Sequence, residues 1–218
     1  MPPLPDLATH TPLWLALLTV AVNALVGALH GMDGSHRWDI VGVSVFALLM
    51  GLGGGFIRDL LLGDLPAQSL RSPWFLLTVL AAVLLALVVG DAVRRLRVVM
   101  AVLDTVAMGL FAATGTAAAL AHALPVTSAA LVGTVSAVGG GMLVSIVRDE
   151  VPEVVLASAP NALLAAFTSL VYAAARPLTP TTASLLALGS LLVARYLTWR
   201  FRVQTRPAAP LRRRPPSG

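Results

Sequence analysis

Apolar residues in this chain come in long runs separated by short polar clusters, with no sustained alternation of apolar and polar positions. Seven runs, at 13–30, 40–62, 73–89, 98–121, 127–147, 160–175 and 181–199, approach the ~20 residues needed to cross ~30 Å of hydrocarbon. Such runs predict transmembrane helices and exclude a sheet protein. The punctuation agrees. Pro73 and Pro160 stand where a first helical turn tolerates proline. Trp14, Trp38, Trp74 and Trp199 fall near predicted ends, as interfacial aromatics do. The expected fold is an all-α polytopic membrane protein of seven transmembrane helices.

Within that pattern one stretch recurs. Gly53-Gly54-Gly55-Phe56-Ile57-Arg58-Asp59, continuing to Asp64 and Pro66, aligns with Gly139-Gly140-Gly141-Met142-Leu143-Val144-Ser145, continuing to Glu150 and Pro152, at a constant offset of 86 residues. Ala24 and Gly27 in the first run are echoed by Ala112 and Gly115 in the fourth, and Pro73 is echoed by Pro160. Runs one to three and four to six therefore read as two copies of one unit. Three spans is an odd number, so the copies enter the membrane from opposite sides, an inverted 3+3 repeat with one extra helix. The expected division is an extracellular segment at 1–12, repeats at 13–91 and 92–176, the extra helix at 180–203, and a disordered basic cytoplasmic tail at 204–218.

Composition sharpens the picture. The chain is 57% hydrophobic and 11% charged, with mean hydropathy +0.87, against ~25% charged in soluble domains. The net charge of +5 comes entirely from arginine and is concentrated after the last run, which fits a topology signal and no nucleic-acid partner. Arg37, Arg94, Arg95, Arg97, Arg148 and the tail arginines fall on one side; Arg71 and Arg176 fall on the other. The first side is expected to be cytoplasmic, placing the N-terminus outside and the C-terminus inside the plasma membrane. No basic stretch precedes the first run, so no cleaved signal peptide is expected. There is no Cys, and His10, His30, His36 and His122 have no metal-ligand spacing. No nucleophile–base pair or phosphate loop is visible, so no enzyme and no cofactor is expected.

The glycine triplets carry the functional reading. Three glycines inside a helix cost ~3 kcal/mol relative to alanine. They allow helices two and five to break and turn the carbonyls of Gly53, Gly54, Gly139 and Gly140 toward a wet passage, a hard-oxygen site for a permeant potassium or sodium ion. The alternative is that they only permit close helix packing. Gly55 and Gly141 complete the predicted pathway set. Arg58, Asp59 and Asp104 are charges within spans, where each must face the interior and find a partner. Neighbours at i and i+1 do not face each other on a helix, so Arg58 and Asp59 are not expected to pair. The depths implied by the helix rise favour an Arg58–Asp104 contact. Arg58 and Asp59 read equally well as a structural cap. Ser145 keeps a hydroxyl where the first copy has Asp59, and Asn23 either lines the pathway or bonds a neighbouring helix. Arg148, Asp149 and Glu150, with His30 and His122, read as interfacial.

The segments 53–66 and 139–152, with Leu103-Asp104 and Phe111-Ala112-Ala113-Thr114-Gly115, resemble the bacterial trimeric intracellular cation (TRIC) channel family, described together with a group named glycine transporters. The resemblance implies a seven-helix protomer with kinks at both triplets and a homotrimer in lipid with one pore per protomer. It also implies monovalent cation conduction, potassium foremost. Bacterial members often carry Arg-Asp after the second triplet too; Val144-Ser145 depart from that. A secondary transporter of a small amino acid such as glycine is the alternative, since broken helices in inverted repeats suit both.

Overall fold

The computed structural model describes residues 12–32, 38–94, 97–156 and 160–205. The N-terminal residues before Pro12, His36, Arg37, Arg95 and the tail from Arg206 lie outside the described residues, as do the side chains of Arg94 and Arg97, so part of the arginine count does too. The described chain is helical throughout: α1 (Leu13–Met32), α2 (Ile40–Leu62), α3 (Gln68–Arg71), α4 (Pro73–Arg94), α5 (Arg97–Ala121), α6 (Val126–Val147), α7 (Asn161–Ala174) and α8 (Pro180–Arg200). A 3₁₀ turn, Glu153–Val155, joins α6 to α7.

Among the described residues six helices are long and apolar enough to span a membrane. The sixth predicted span is the exception. As α7 it has 14 residues, which reach about 21 Å, short of a full hydrocarbon core. The short α3 and the 3₁₀ turn also went unpredicted, because polar pieces of three or four residues leave no periodic signal.

Long helices here turn one face inward and one out. On α4, Phe75, Val79, Ala82, Val83 and Ala86 are buried against α1 and α2, whereas Leu77, Leu80, Leu84 and Val88 are exposed. An apolar outer face suits lipid or another protomer.

The helices pair in a matching order: α1 packs on α2 and α4, and α5 packs on α6 and α7. α2 and α6 meet at the centre, with α8 against α5 and α7. The helix ends match as well. The N–H of Asp64 donates to Asp59 O at 2.9 Å, and the N–H of Glu150 donates to Ser145 O at 2.9 Å. Gly63 supplies the left-handed residue (φ +71°) that ends α2, and Asp149 (φ +55°) stands at the corresponding place after α6.

The expected breaks are not present. Both α2 and α6 run uninterrupted through their glycine triplets, which keeps their carbonyls within the helical hydrogen-bond ladder. What the glycines provide is proximity. A Cβ at Gly53 would lie 2.7 Å from Leu143 Cδ1 and 3.6 Å from Gly140 Cα; one at Gly139 would lie 2.7 Å from Ile57 Cδ1 and 3.8 Å from Gly54 Cα. Leu143 is 86 residues beyond Ile57, and Gly139 and Gly140 are 86 beyond Gly53 and Gly54, so each half touches the other through equivalent atoms. Close approach of small residues is what holds helices together where lipid and side chain are equally apolar.

Candidate functional site

Charged and polar residues inside this bundle line a cavity on each side of the α2–α6 crossing. The first, about 50 Å³, lies where α2 ends, and Arg58, Asp59, Asp64, Ser69, Thr114 and His122 line it. The second, about 330 Å³, lies where α6 ends, with Asn23, His30, Asp104, Arg148, Glu150 and Arg195 in its wall. The two linings share no residue, yet the boundary is thin. On α1 it passes between Val20 and Asn23, on α2 between Gly51 and Met50, and on α5 between Phe111 and Met108. At most three residues, about 4.5 Å along a helix, therefore separate them.

Two observations tie the cavities together. Gly51, Leu52, Gly55, Arg58 and Asp59 line the first; their counterparts 86 residues on, Ala137, Val138, Gly141, Val144 and Ser145, line the second. Gln68 and Phe75 likewise correspond to Val154 and Asn161.

In the first cavity Asp59 is the hub. Its Oδ1 accepts from Arg58 Nε at 2.8 Å and lies 2.7 Å from Arg58 Nη2, and its Oδ2 accepts from the Gln68 N–H at 2.8 Å. Arg58 Nη2 also donates to Gln68 Oε1 at 3.2 Å. The expectation that Arg58 and Asp59 do not pair is thus corrected. Their Cβ atoms diverge, but the long Arg58 side chain wraps back to a carboxylate already fixed by the start of α3. Both side chains are buried, and a buried pair is favourable only when its other polar atoms find bonds too; Gln68 supplies one to Asp59 Oδ2 and one to Arg58 Nη2. Asp64 is held by Arg71 Nη2 at 2.6 Å. The buried Ser69 hydroxyl, by contrast, has no protein partner among the described residues.

The second cavity is built differently. His30 Nε2 lies 3.1 Å from Asp104 Oδ1. Arg148 Nη1 donates to the His30 carbonyl at 2.9 Å while its Nη2 meets Glu150 Oε1 at 2.9 Å. Arg195 Nε donates to Thr105 Oγ1 at 3.1 Å and its Nη1 to Asn161 Oδ1 at 2.6 Å; Asn161 Nδ2 in turn donates to Glu153 Oε2 at 3.2 Å. Asn161 is also the first residue of α7, so a helix N-terminus edges this cavity.

The predicted residues divide accordingly. Gly55, Arg58 and Asp59 line the first cavity; Asn23, Asp104, Gly141 and Ser145 line the second. Gly53, Gly54, Gly139 and Gly140 line neither and form the crossing. The carbonyl of Gly54 accepts from Ser136 Oγ at 3.2 Å and that of Gly140 lies in unbroken helix, so no set of freed carbonyls forms. Arg58 and Asp104 occupy different cavities, so the expected contact gives way to Arg58–Asp59 and His30–Asp104. Asn23 makes the interhelical bond that was one of its two expected roles, its Nδ2 donating to Ala107 O at 3.1 Å, and it also lines the second cavity. His122 lines the first cavity and His30, Arg148 and Glu150 line the second. Arg195 was missed. It sits within the seventh apolar run, the same signal that marked Asp104.

Comparison with known proteins gives this arrangement a context. The sequence model of the family described as "Glycine transporter" matches residues 13–91 and again residues 101–177. A UPF0126 membrane protein of Deinococcus radiodurans is 36% identical over 141 residues, covering 65% of this chain and 65% of that protein. The chain thus spans about two thirds of that relative's length. Two solved structures share the fold. One, from work on conductance through TRIC cation channels, superposes with TM-score 0.77 at 26% identity, covering 94% of this chain and 100% of that one. The other, a TRIC trimeric intracellular cation channel orthologue from Rhodobacter sphaeroides, gives TM-score 0.78 at 22% identity over 88% of this chain and 98% of that one.

Proposed function

The chain belongs to the Glycine transporter family of multi-pass membrane proteins, and from that premise we propose that it is a cation channel, conducting monovalent cations with potassium foremost. The observation that carries the proposal is the pair of polar cavities separated by less than one helical turn. A conduit needs hydrated approaches from both faces and a short constriction between them, because a long dehydrated path raises the barrier to an ion. Fixed charges in both walls are mostly paired, so an ion meets polar surface without a deep trap. Likeness to TRIC channels at 26% identity supports the same reading.

In this reading residues 13–91 and 92–176 are inverted copies, 180–203 is an added helix, and three protomers assemble through the apolar outer faces. The pore of each protomer passes beside the glycine crossing. The arginine distribution favours a plasma-membrane protein with its N-terminus outside and C-terminus cytoplasmic.

A second reading, secondary transport of glycine, is favoured by one feature. The second cavity sets guanidinium groups and carboxylates around the N-terminus of α7, the chemistry that holds a zwitterion. Purified protein in liposomes decides between them. A channel passes potassium down its gradient without glycine; a transporter accumulates glycine and shows no potassium conductance of its own.

A further inference from the structure

The matched linings of the two cavities differ in chemistry at several positions, among them Arg58/Val144, Asp59/Ser145 and Leu62/Arg148, and the placing of the arginines is informative. The first cavity has its arginine at position 58; at the equivalent position of the second stands Val144, a buried apolar side chain. The second cavity nevertheless carries two guanidiniums: Arg148, at the position equivalent to Leu62, and a half-buried one from outside the matched set. Arg195 enters from α8, which has no counterpart in either half, and is fixed by Thr105 of α5 and Asn161 of α7. Thr105 is itself tied to Ala101 O at 2.7 Å and Asn161 to Glu153, so both partners of Arg195 are held by further bonds. Arg195 lies within electrostatic reach of Asp104 and Glu153.

Charge gives the consequence. Among the described residues lining this cavity, Asp104, Glu150 and Glu153 oppose Arg148 and Arg195. Apart from His30, these side chains sum to one net negative charge, matched to a single monovalent cation. Without Arg195 two would remain, a complement to a divalent cation. The energy of an ion in a fixed field scales with its charge, so a divalent ion feels the Arg195 repulsion twice as strongly as a monovalent one.

We propose that Arg195 is a specificity-determining residue, supplied by α8 in place of the arginine absent at position 144, and that it excludes divalent cations from the wider cavity. This rests on the channel reading. Bi-ionic reversal potentials between potassium and magnesium, measured on the full chain in planar bilayers, test it. Arg195→Gln is expected to raise magnesium permeability relative to potassium at least about threefold, and Arg195→Lys to stay near the parent value. Adding Glu150→Gln or Val144→Arg to Arg195→Gln is expected to return the ratio toward the parent. An unchanged ratio in a conducting Arg195→Gln protein overturns the proposal, as does an Arg195→Lys protein that behaves like Arg195→Gln. If Arg195→Gln does not survive purification, Glu150→Gln alone carries the test: it must lower magnesium permeability or block, and no change overturns the proposal. A parent protein that passes no potassium overturns the channel reading itself, a result distinct from any of these.

Discussion

Gly54 of α2 and Ser136 of α6 meet backbone to backbone: the Ser136 hydroxyl donates to the Gly54 carbonyl at 3.2 Å, and a Cβ on Gly54 would collide with the Ser136 carbonyl. The second partner is main chain in a packed helix and cannot swing aside. Gly54→Ala therefore forces α2 and α6 apart, with an expected loss of about 1–3 kcal/mol. Thermal unfolding in detergent, followed by tryptophan fluorescence, should show a clear fall in Tm.

Gly141, in the same kind of triplet, has open space where its Cβ would be and lines the second cavity. Gly141→Ala should keep or raise stability, by up to about 1 kcal/mol from helix propensity. Its effect belongs in conductance, since the added methyl narrows the cavity. A Gly141→Ala protein as destabilised as Gly54→Ala would contradict this placement.

Asp59 holds Arg58 and the start of α3 together from a buried position. Asp59→Asn leaves a buried guanidinium without its counter-charge, for an expected loss of about 3–5 kcal/mol. Replacing both, as Arg58→Met with Asp59→Asn, should recover much of it. Denaturation midpoints of the two variants provide the comparison.

Arg58 and Asp104 face different cavities, whereas His30 and Asp104 touch. In double-mutant cycles on stability, Arg58→Ala with Asp104→Ala should add within about 0.5 kcal/mol, and His30→Ala with Asp104→Ala should not. Coupling in the first cycle alone would contradict the structure.

Asn23 links α1 to α5 through the Ala107 carbonyl. Interhelical bonds of this kind in membranes contribute about 0.6 kcal/mol on average. Asn23→Ala should thus lower Tm slightly while altering conductance, because the same side chain lines the second cavity.

Much of this protein is written in one dimension. Long apolar runs state that the chain spans a membrane several times, because hydrocarbon thickness sets a length that sequence either meets or does not. The 86-residue recurrence of the triplets locates the crossing, and the rarity of intramembrane charge points to Arg58, Asp59 and Asp104. Sequence could not say whether the glycines break their helices or press them together, since backbone freedom and absence of bulk are the same property. The partner at close range decides, and Ser136 is 82 residues from Gly54. Charge pairing was equally out of reach. Arg58 took its neighbour because α3 pins the Asp59 carboxylate within its arc, Asp104 took His30 from a helix 74 residues away, and Arg195 found Thr105 and Asn161 across 90 and 34 residues. Such pairs depend on helix rotation and depth, which only the packed tertiary structure determines, because a span's length and apolarity leave both undetermined.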